Sequence, residues 1–246
     1  MKIEFFETID STNTYLYGKA LDKELCEECA ACADMQTAGK GRKGRSFYSP
    51  QNTGLYLSFL LFPEMELDKI MMLTPLTAVA AALCVKEMTD LDIKIKWVND
   101  LYLEGKKVSG ILTESSPYIK DNKPSFVVVG IGINILPPKG GFPDEIKDIA
   151  GALFDSLPER YDDLISFKRD LAQRITDRFY TMYKDPSRER FISEYRSLSM
   201  LDGKTVSIVD GPVVKVLGIE DDFGLKVMDD DGNISVLKAG EVSLLL

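Results

Sequence analysis

The densest group of chemistry-bearing residues is Gln36-Thr37-Ala38-Gly39-Lys40-Gly41-Arg42-Lys43-Gly44-Arg45-Ser46, with four cations in the seven residues from Gly39 to Arg45. Gly39, Gly41 and Gly44 satisfy the spacing G-x-G-x-x-G, and Gly39 and Gly44 followed by Arg45-Ser46 come close to a P-loop. Both motifs hold phosphate on the amides and dipole of a helix that begins at the loop. Here the loop runs instead into Phe47-Tyr48-Ser49-Pro50-Gln51-Asn52-Thr53-Gly54, which is turn-forming and leads into a strand. An arginine also occupies the P-loop lysine position, so neither motif is adopted. Mutual repulsion of the cations and freedom at the glycines describe a loop that is mobile when empty and orders around a polyanion. A solvated basic hairpin or an RNA contact would have the same composition.

Other polar groups recur in short blocks: Asp10-Ser11-Thr12-Asn13, Lys96-Trp97-Val98-Asn99-Asp100, Lys106-Lys107-Val108-Ser109-Gly110-Ile111-Leu112-Thr113-Glu114, and Gly130-Ile131-Gly132-Ile133-Asn134. The chain contains no histidine, which removes Ser-His-Asp and Cys-His catalysis. Cys26, Cys29 and Cys32 form C-x-x-C-x-x-C, but a closed metal site needs a fourth soft ligand, and Cys84 lies alone in an apolar run. These cysteines read as small hydrophobes of a reducing compartment.

The elements that must position these groups follow from periodicity. Residues 3–9 read as a strand, and Asp10 to Asn13 offer N-cap chemistry for a helix towards Leu25. Strands are expected at 29–35, 54–62, 93–97, 106–114 and 125–135, the last nearly all apolar and therefore central. Residues 67–88 read as a mostly buried helix started or kinked by Pro75. Residues 136–158 read as a surface loop. Leu164, Phe167, Leu171, Ile175, Phe179 and Met182 have the spacing of an amphipathic helix, which Asp185-Pro186 ends before a shorter helix to about Leu198. Beyond Ser199, short alternating strands punctuated by Asp-Gly and Phe-Gly turns suggest a small barrel. The division is therefore 1–198 and 199–246.

The net charge of −9 argues against a broad duplex-binding surface. No secretory h-region opens the chain, and no apolar run is read as reaching a membrane span. A cytoplasmic protein with no DNA and no membrane partner is expected.

In order and spacing the five blocks resemble the catalytic module of biotin–protein ligases, whose D-S-T-N, G-R-G-R-x-G-R, K-W-P-N-D, K-x-x-G-I-L-x-E and G-x-G-x-N blocks all have counterparts here. The resemblance spans residues 1 to 246. It departs at Lys40, where the family usually has arginine, at Phe47, where tryptophan is common, and at Val98, where proline stands. Any one block is weak, but five in register are specific.

The resemblance implies an α+β fold with a mixed-sheet, class-II-synthetase-like catalytic domain and a small C-terminal SH3-like β-barrel. It implies an ATP-dependent ligase that makes biotinyl-5′-AMP with Mg²⁺ and passes biotin to a lysine of a biotin carboxyl carrier protein or domain. A homodimer is compatible with it. The short form implied has no N-terminal DNA-binding domain, because Asp10 to Asn13 stand almost at the start. By the same resemblance Ser11, Thr12, Asn13, Gln36 and Gly110 bind biotin, with Ser11, Thr12 and Gln36 on its ureido ring. Lys40, Gly41 and Arg42 close over its carboxylate and the phosphates. Lys107 is the cation at the reacting carboxylate and α-phosphate. Arg42, Arg45, Phe47, Trp97, Asn99 and Asn134 take the ATP and adenylate, and Asp100 is catalytic and near the metal. Fixed cations around a carboxylate attacking phosphorus are positional and electrostatic catalysis, and a closing loop would shield the anhydride from water. The alternative from the same superfamily is a lipoate or octanoyl ligase or transferase; a non-enzymatic RNA- or acceptor-binding module would need neither Lys107 nor Asp100.

Overall fold

The computed structural model describes residues 1–185, 189–209 and 211–244. Strand β1 (Ile3–Ile9) leads to helix α1 (Thr12–Leu21), capped at its N-terminus by the Ser11 side chain, which accepts from the Thr14 amide. The helix ends at Leu21, four residues before Leu25, with Asp22 as its C-cap, and Lys23 takes a positive φ. Strand β2 (Cys29–Gln36) pairs parallel to β1, with Ile3 opposite Ala30. The basic loop makes one 3-10 turn at Arg42–Gly44 before β3 (Gly54–Leu61), buried at every position. The expected helix at 67–88 is two: α2 (Leu67–Ile70) and α3 (Leu73–Thr89), with Pro75 in the first turn of α3, where no intrahelical amide is lost.

Strands β4 (Lys94–Lys96), β5 (Asp100–Leu103) and β6 (Lys106–Ser115) follow, then a small hairpin of β7 (Ile119–Lys120) and β8 (Lys123–Pro124), and β9 (Val127–Asn134). Strand β5 was not anticipated; its four residues are too few for a pattern to show beside the Lys96–Asp100 block. The main sheet runs β1-β2-β3-β9-β6-β5-β4, parallel only between β1 and β2. One face is covered by α3 and by α4 (Leu164–Lys184) and α5 (Glu189–Leu198). The amphipathic spacing of α4 is realised: Phe167, Leu171, Ile175, Phe179 and Met182 are buried, and Phe179 stacks on Phe59 at 4.4 Å between centroids. On the other face α1 packs on Ala31, Leu60, Phe126 and Val128, with Phe6 against Tyr15, and the part of that face towards β6 is left open for a cavity.

The stretch Leu67–Thr89 is long and apolar enough to cross a membrane, contrary to expectation. Its most apolar window is 72% buried within the protein, and α3 is apolar all round because it lies between the sheet and α4.

The C-terminal part holds β10 (Thr205–Ile208), β11 (Val213–Ile219), β12 (Leu225–Met228), β13 (Ile234–Leu237) and β14 (Val242–Leu244), in the order β13-β12-β11-β10-β14. All pairings are antiparallel. This sheet is not the closed barrel expected. After β13 the chain turns through Gly240 (φ 140°) and β14 joins β10, so among the described residues β13 and β14 are the edges. The unit docks on the β4 end of the main sheet. Trp97 Nε1 donates to the Phe223 carbonyl at 2.8 Å, Arg196 Nε to the Ile219 carbonyl at 2.8 Å, and the Met200 amide to the Ile95 carbonyl at 3.0 Å.

Candidate active site

A cavity of about 230 Å³ opens on the sheet face that α1 leaves uncovered. Every residue singled out from the sequence lines it: Ser11, Thr12, Asn13, Gln36, Lys40, Gly41, Arg42, Arg45, Phe47, Trp97, Asn99, Asp100, Lys107, Gly110 and Asn134. Its two ends differ in chemistry.

One end is a neutral hydrogen-bond chain. The Thr12 amide and hydroxyl both donate to Gln36 Oε1, at 2.8 and 3.1 Å, and Thr12 Oγ1 lies 2.6 Å from Ser58 Oγ. Ser58 donates to Asn13 Oδ1 at 2.6 Å, and Asn13 Nδ2 donates to Glu114 at 2.8 Å. Gln36 Nε2 donates to Ser49 Oγ, which donates to the Phe47 carbonyl. Ser11 thus caps the helix while facing the cavity. Two glycines of the Gly130–Asn134 block acquire a physical purpose here. A Cβ on Gly130 would lie 2.0 Å from Asn13 Oδ1, and one on Gly132 would lie 2.4 Å from Phe47 Cε1. Gly110 faces Gly132 across the β6–β9 pairing, so the Phe47 ring rests on a floor without side chains.

The other end is cationic. Lys40, Arg42, Arg45, Lys96 and Lys107 line the cavity against two carboxylates, Asp100 and Glu241, although the whole chain carries −9. Such a patch focuses attraction on an anion. Lys107 Nζ lies 2.7 Å from Asp100 Oδ1, which also accepts from Asn99 Nδ2 at 3.0 Å. Arg42 Nη1 donates to Asn99 Oδ1 at 2.8 Å, so Asn99 joins the loop to the sheet. Arg45 makes a forked pair with Glu241 at 3.0 and 2.8 Å, and the Arg45 hydrogen bond holds the Glu241 carboxyl below the usual glutamate range. Lys40 lies 3.5 Å from Glu114. Burial lowers the pKa of Lys96. Trp97 is 4% exposed; it lines the cavity and anchors the C-terminal sheet through the Phe223 carbonyl, so it serves both uses. The Trp97–Val98 peptide is cis.

Asn134, expected beside adenine, donates Nδ2 to the Gly151 carbonyl at 2.9 Å, while Lys107 exchanges backbone hydrogen bonds with residues 149 and 151. The expected surface loop is thereby folded over the site, and Phe142, Ile146, Ile149 and Ala150 form its apolar wall. Their spacing of four, three and one was a legible signal of a folded segment. Ser58, Lys96 and Glu241 were also missed. Ser58 is a single hydroxyl in an apolar strand, and nothing local marks Glu241. The cysteines do not converge: Cys26 is exposed, Cys29 half-buried and Cys32 buried, with its thiol pushed up to about 12 by burial. Among the described residues no three His, Cys, Asp or Glu side chains gather as a metal site.

Residues 5–134 match the model of the biotin/lipoate A/B protein ligase family. The chain belongs to this family. It is 32% identical over 218 residues to the bifunctional ligase/repressor BirA of Bacillus subtilis, covering 86% of this chain and 65% of that protein. It is 26% identical over 242 residues to the biotin–[acetyl-CoA-carboxylase] ligase of Mycobacterium tuberculosis, covering 94% and 85% of the two chains. Among solved structures, the biotin protein ligase of Aquifex aeolicus in complex with biotin and ATP superposes with a TM-score of 0.77 at 28% identity, over 99% of this chain and 98% of that one. The chain thus spans less than two thirds of the length of its Bacillus relative.

Proposed function

We propose that this chain condenses biotin with ATP to biotinyl-5′-AMP and then passes the biotinyl group to a lysine of a biotin carboxyl carrier protein or domain. The observation that carries this reading is the division of one cavity into an amide–hydroxyl end and a cationic end, with Lys107 beside Gly110 in the latter. A neutral ring bearing donors and acceptors suits Ser11, Thr12 and Gln36; Asn13 positions them through Ser58. The tail carboxylate then reaches Lys107, and Lys40, Gly41 and Arg42 cover it. Adenine stacks on Phe47, with Trp97, Asn99 and Asn134 around the nucleotide.

In the first step a carboxylate oxygen attacks the α-phosphorus, the bond to the bridging oxygen breaks, and pyrophosphate leaves. Negative charge grows on the phosphorus oxygens, where Lys107 and Arg42 act. In the second step the acceptor amine attacks the anhydride carbonyl, AMP leaves, and the amine loses its proton, with Asp100 oriented towards it. Mg²⁺ takes one or two carboxylates with phosphate oxygens and water rather than an all-protein cage. Asp100, whose two protein contacts both fall on Oδ1, fits that donor set and would hold the ion, which would supply further charge neutralisation. The names of the relatives and solved neighbours support biotin over lipoate or octanoate as the activated acid.

The division into a catalytic unit 1–198 of class-II-synthetase kind and an SH3-like unit 199–246 belongs to the same proposal, as do a cytoplasmic location and the lack of duplex-DNA binding; a homodimer is compatible with it. ATP–pyrophosphate exchange with and without biotin tests the function. Exchange that depends on biotin supports it; exchange driven by lipoate or octanoate alone assigns the other branch of the family, and none at all refutes a ligase.

A further inference from the structure

Five cations line the cavity, and four of them are held by the protein itself. Lys107 pairs with Asp100, Arg45 with Glu241, Lys40 with Glu114, and Arg42 with the Asn99 side chain. Lys96 differs. Its ammonium faces the Tyr102 ring at 5.5 Å from the centroid, and among the described residues it has no hydrogen-bond acceptor and no carboxylate within ion-pair distance. It is half-buried. A partly desolvated ammonium with three donors and no acceptor is unfavourable unless a ligand completes it. The counter-ion that Lys96 lacks must therefore enter with the substrate.

Register places that counter-ion. Lys96 sits on β4 opposite Asp100 of β5, and Lys107 lies on β6, the next strand. Lys107 pairs with Tyr102, two residues along β5 from Asp100, so two strand spacings and a two-residue offset, roughly 12 Å, separate the backbones of Lys96 and Lys107. An anion that Lys107 holds at one end and Lys96 at the other is extended across the sheet, as a polyphosphate is. We propose that Lys96 is the seat of the leaving pyrophosphate, binding β- and γ-phosphate oxygens of the nucleotide while Lys107 serves the α-phosphate. This rests on the function proposed above. When the bond between the α-phosphorus and its bridging oxygen breaks, the electron pair stays on the pyrophosphate oxygen, and Lys96 meets that charge. Tyr102 holds the ammonium in place by its ring face without consuming a donor.

The test compares the wild-type chain with Lys96→Met, which keeps the apolar stem and removes the charge, and with Lys96→Arg. Biotin-dependent ATP–pyrophosphate exchange is measured against pyrophosphate and ATP concentration. Transfer is measured separately, as AMP release from preformed biotinyl-5′-AMP with hydroxylamine as the amine. The expected result for Lys96→Met is a KM for pyrophosphate and for ATP raised tenfold or more, with transfer from the preformed anhydride within twofold of wild type and substantial recovery in Lys96→Arg. A KM for pyrophosphate within twofold of wild type overturns the inference. So does an equal loss in both half-reactions with a lowered Tm and no recovery by arginine, which marks a structural lysine. A wild-type chain without biotin-dependent exchange sinks the proposed function itself, a result the variants cannot mimic.

Discussion

Replacing Gly130 by alanine should damage both stability and biotin binding, although a strand position ordinarily accepts alanine. The backbone there needs no positive φ, so the cost is purely steric. The new methyl would start 2.0 Å from Asn13 Oδ1 and 2.8 Å from Cγ. A normal contact requires Asn13 to retreat by more than about 1 Å, which stretches its 2.6 Å bond from Ser58 and its 2.8 Å bond to Glu114 beyond hydrogen-bond range. One neutral and one charge-assisted hydrogen bond are then lost, together about 2–4 kcal/mol. For a chain of this size that lowers Tm by roughly 5–15 °C. The same retreat releases Ser58 and Thr12, so the Kd for biotin should rise at least tenfold. Chemical denaturation and calorimetric titration with biotin read the two effects. Gly18→Ala is the control: nothing lies within 4 Å of its Cβ position in α1, and it should stabilise by roughly 0.5–1 kcal/mol. A Gly130→Ala protein with the wild-type denaturation midpoint and unchanged biotin affinity would refute the idea that this glycine exists to seat Asn13.

Lys107→Ala should lower kcat for adenylate formation on the order of a hundredfold or more with a smaller change in ATP affinity; a kcat within about threefold of wild type would make the lysine a surface residue. Arg42→Gly removes the bond to Asn99 and loosens the loop, so preformed biotinyl-5′-AMP should dissociate faster and label an unrelated protein such as albumin, both measurable directly. Glu241 titrates below its unfolded value because of Arg45; its contribution is therefore complete above the ordinary glutamate range and lost as pH falls through the lower, folded value. The Tm difference between wild type and Glu241→Gln should accordingly be constant near neutrality and vanish in acid, and a difference that persists there would break the assignment. Ser109 is fully buried and its hydroxyl lacks a partner among the described residues, so Ser109→Ala should leave stability unchanged or raise it by about 1 kcal/mol in denaturant melts.

What could be read from the sequence was local or periodic. The α4 stripe and the N-cap at Ser11 are short-range features, and the structure reproduces them. The site residues were legible because the five blocks, in their order and spacing, resemble the catalytic module of biotin–protein ligases. Glu241 was not, because its meaning depends on Arg45, far away in sequence. Lys96 stood inside a noticed block but looked like any strand lysine until its lack of a partner could be seen. The barrel failed to close for a similar reason: turn residues mark where strands end but not which strand comes home beside which, and β14 chose β10.

The forked pair between Arg45 and Glu241 also sets a clock. On a ribosome the residues from Ser11 to Asn134 emerge long before residue 241, so a nascent chain carries the reactive pocket without its last wall. Until Glu241 arrives, Arg45 lacks the carboxylate it forks onto, and among the described residues the loop's cations are held to the sheet only through Arg42 on Asn99 and Lys40 on Glu114. Under the proposed function, a chain made only that far would be poor at retaining a diffusible acylating agent, and containment waits for residue 241.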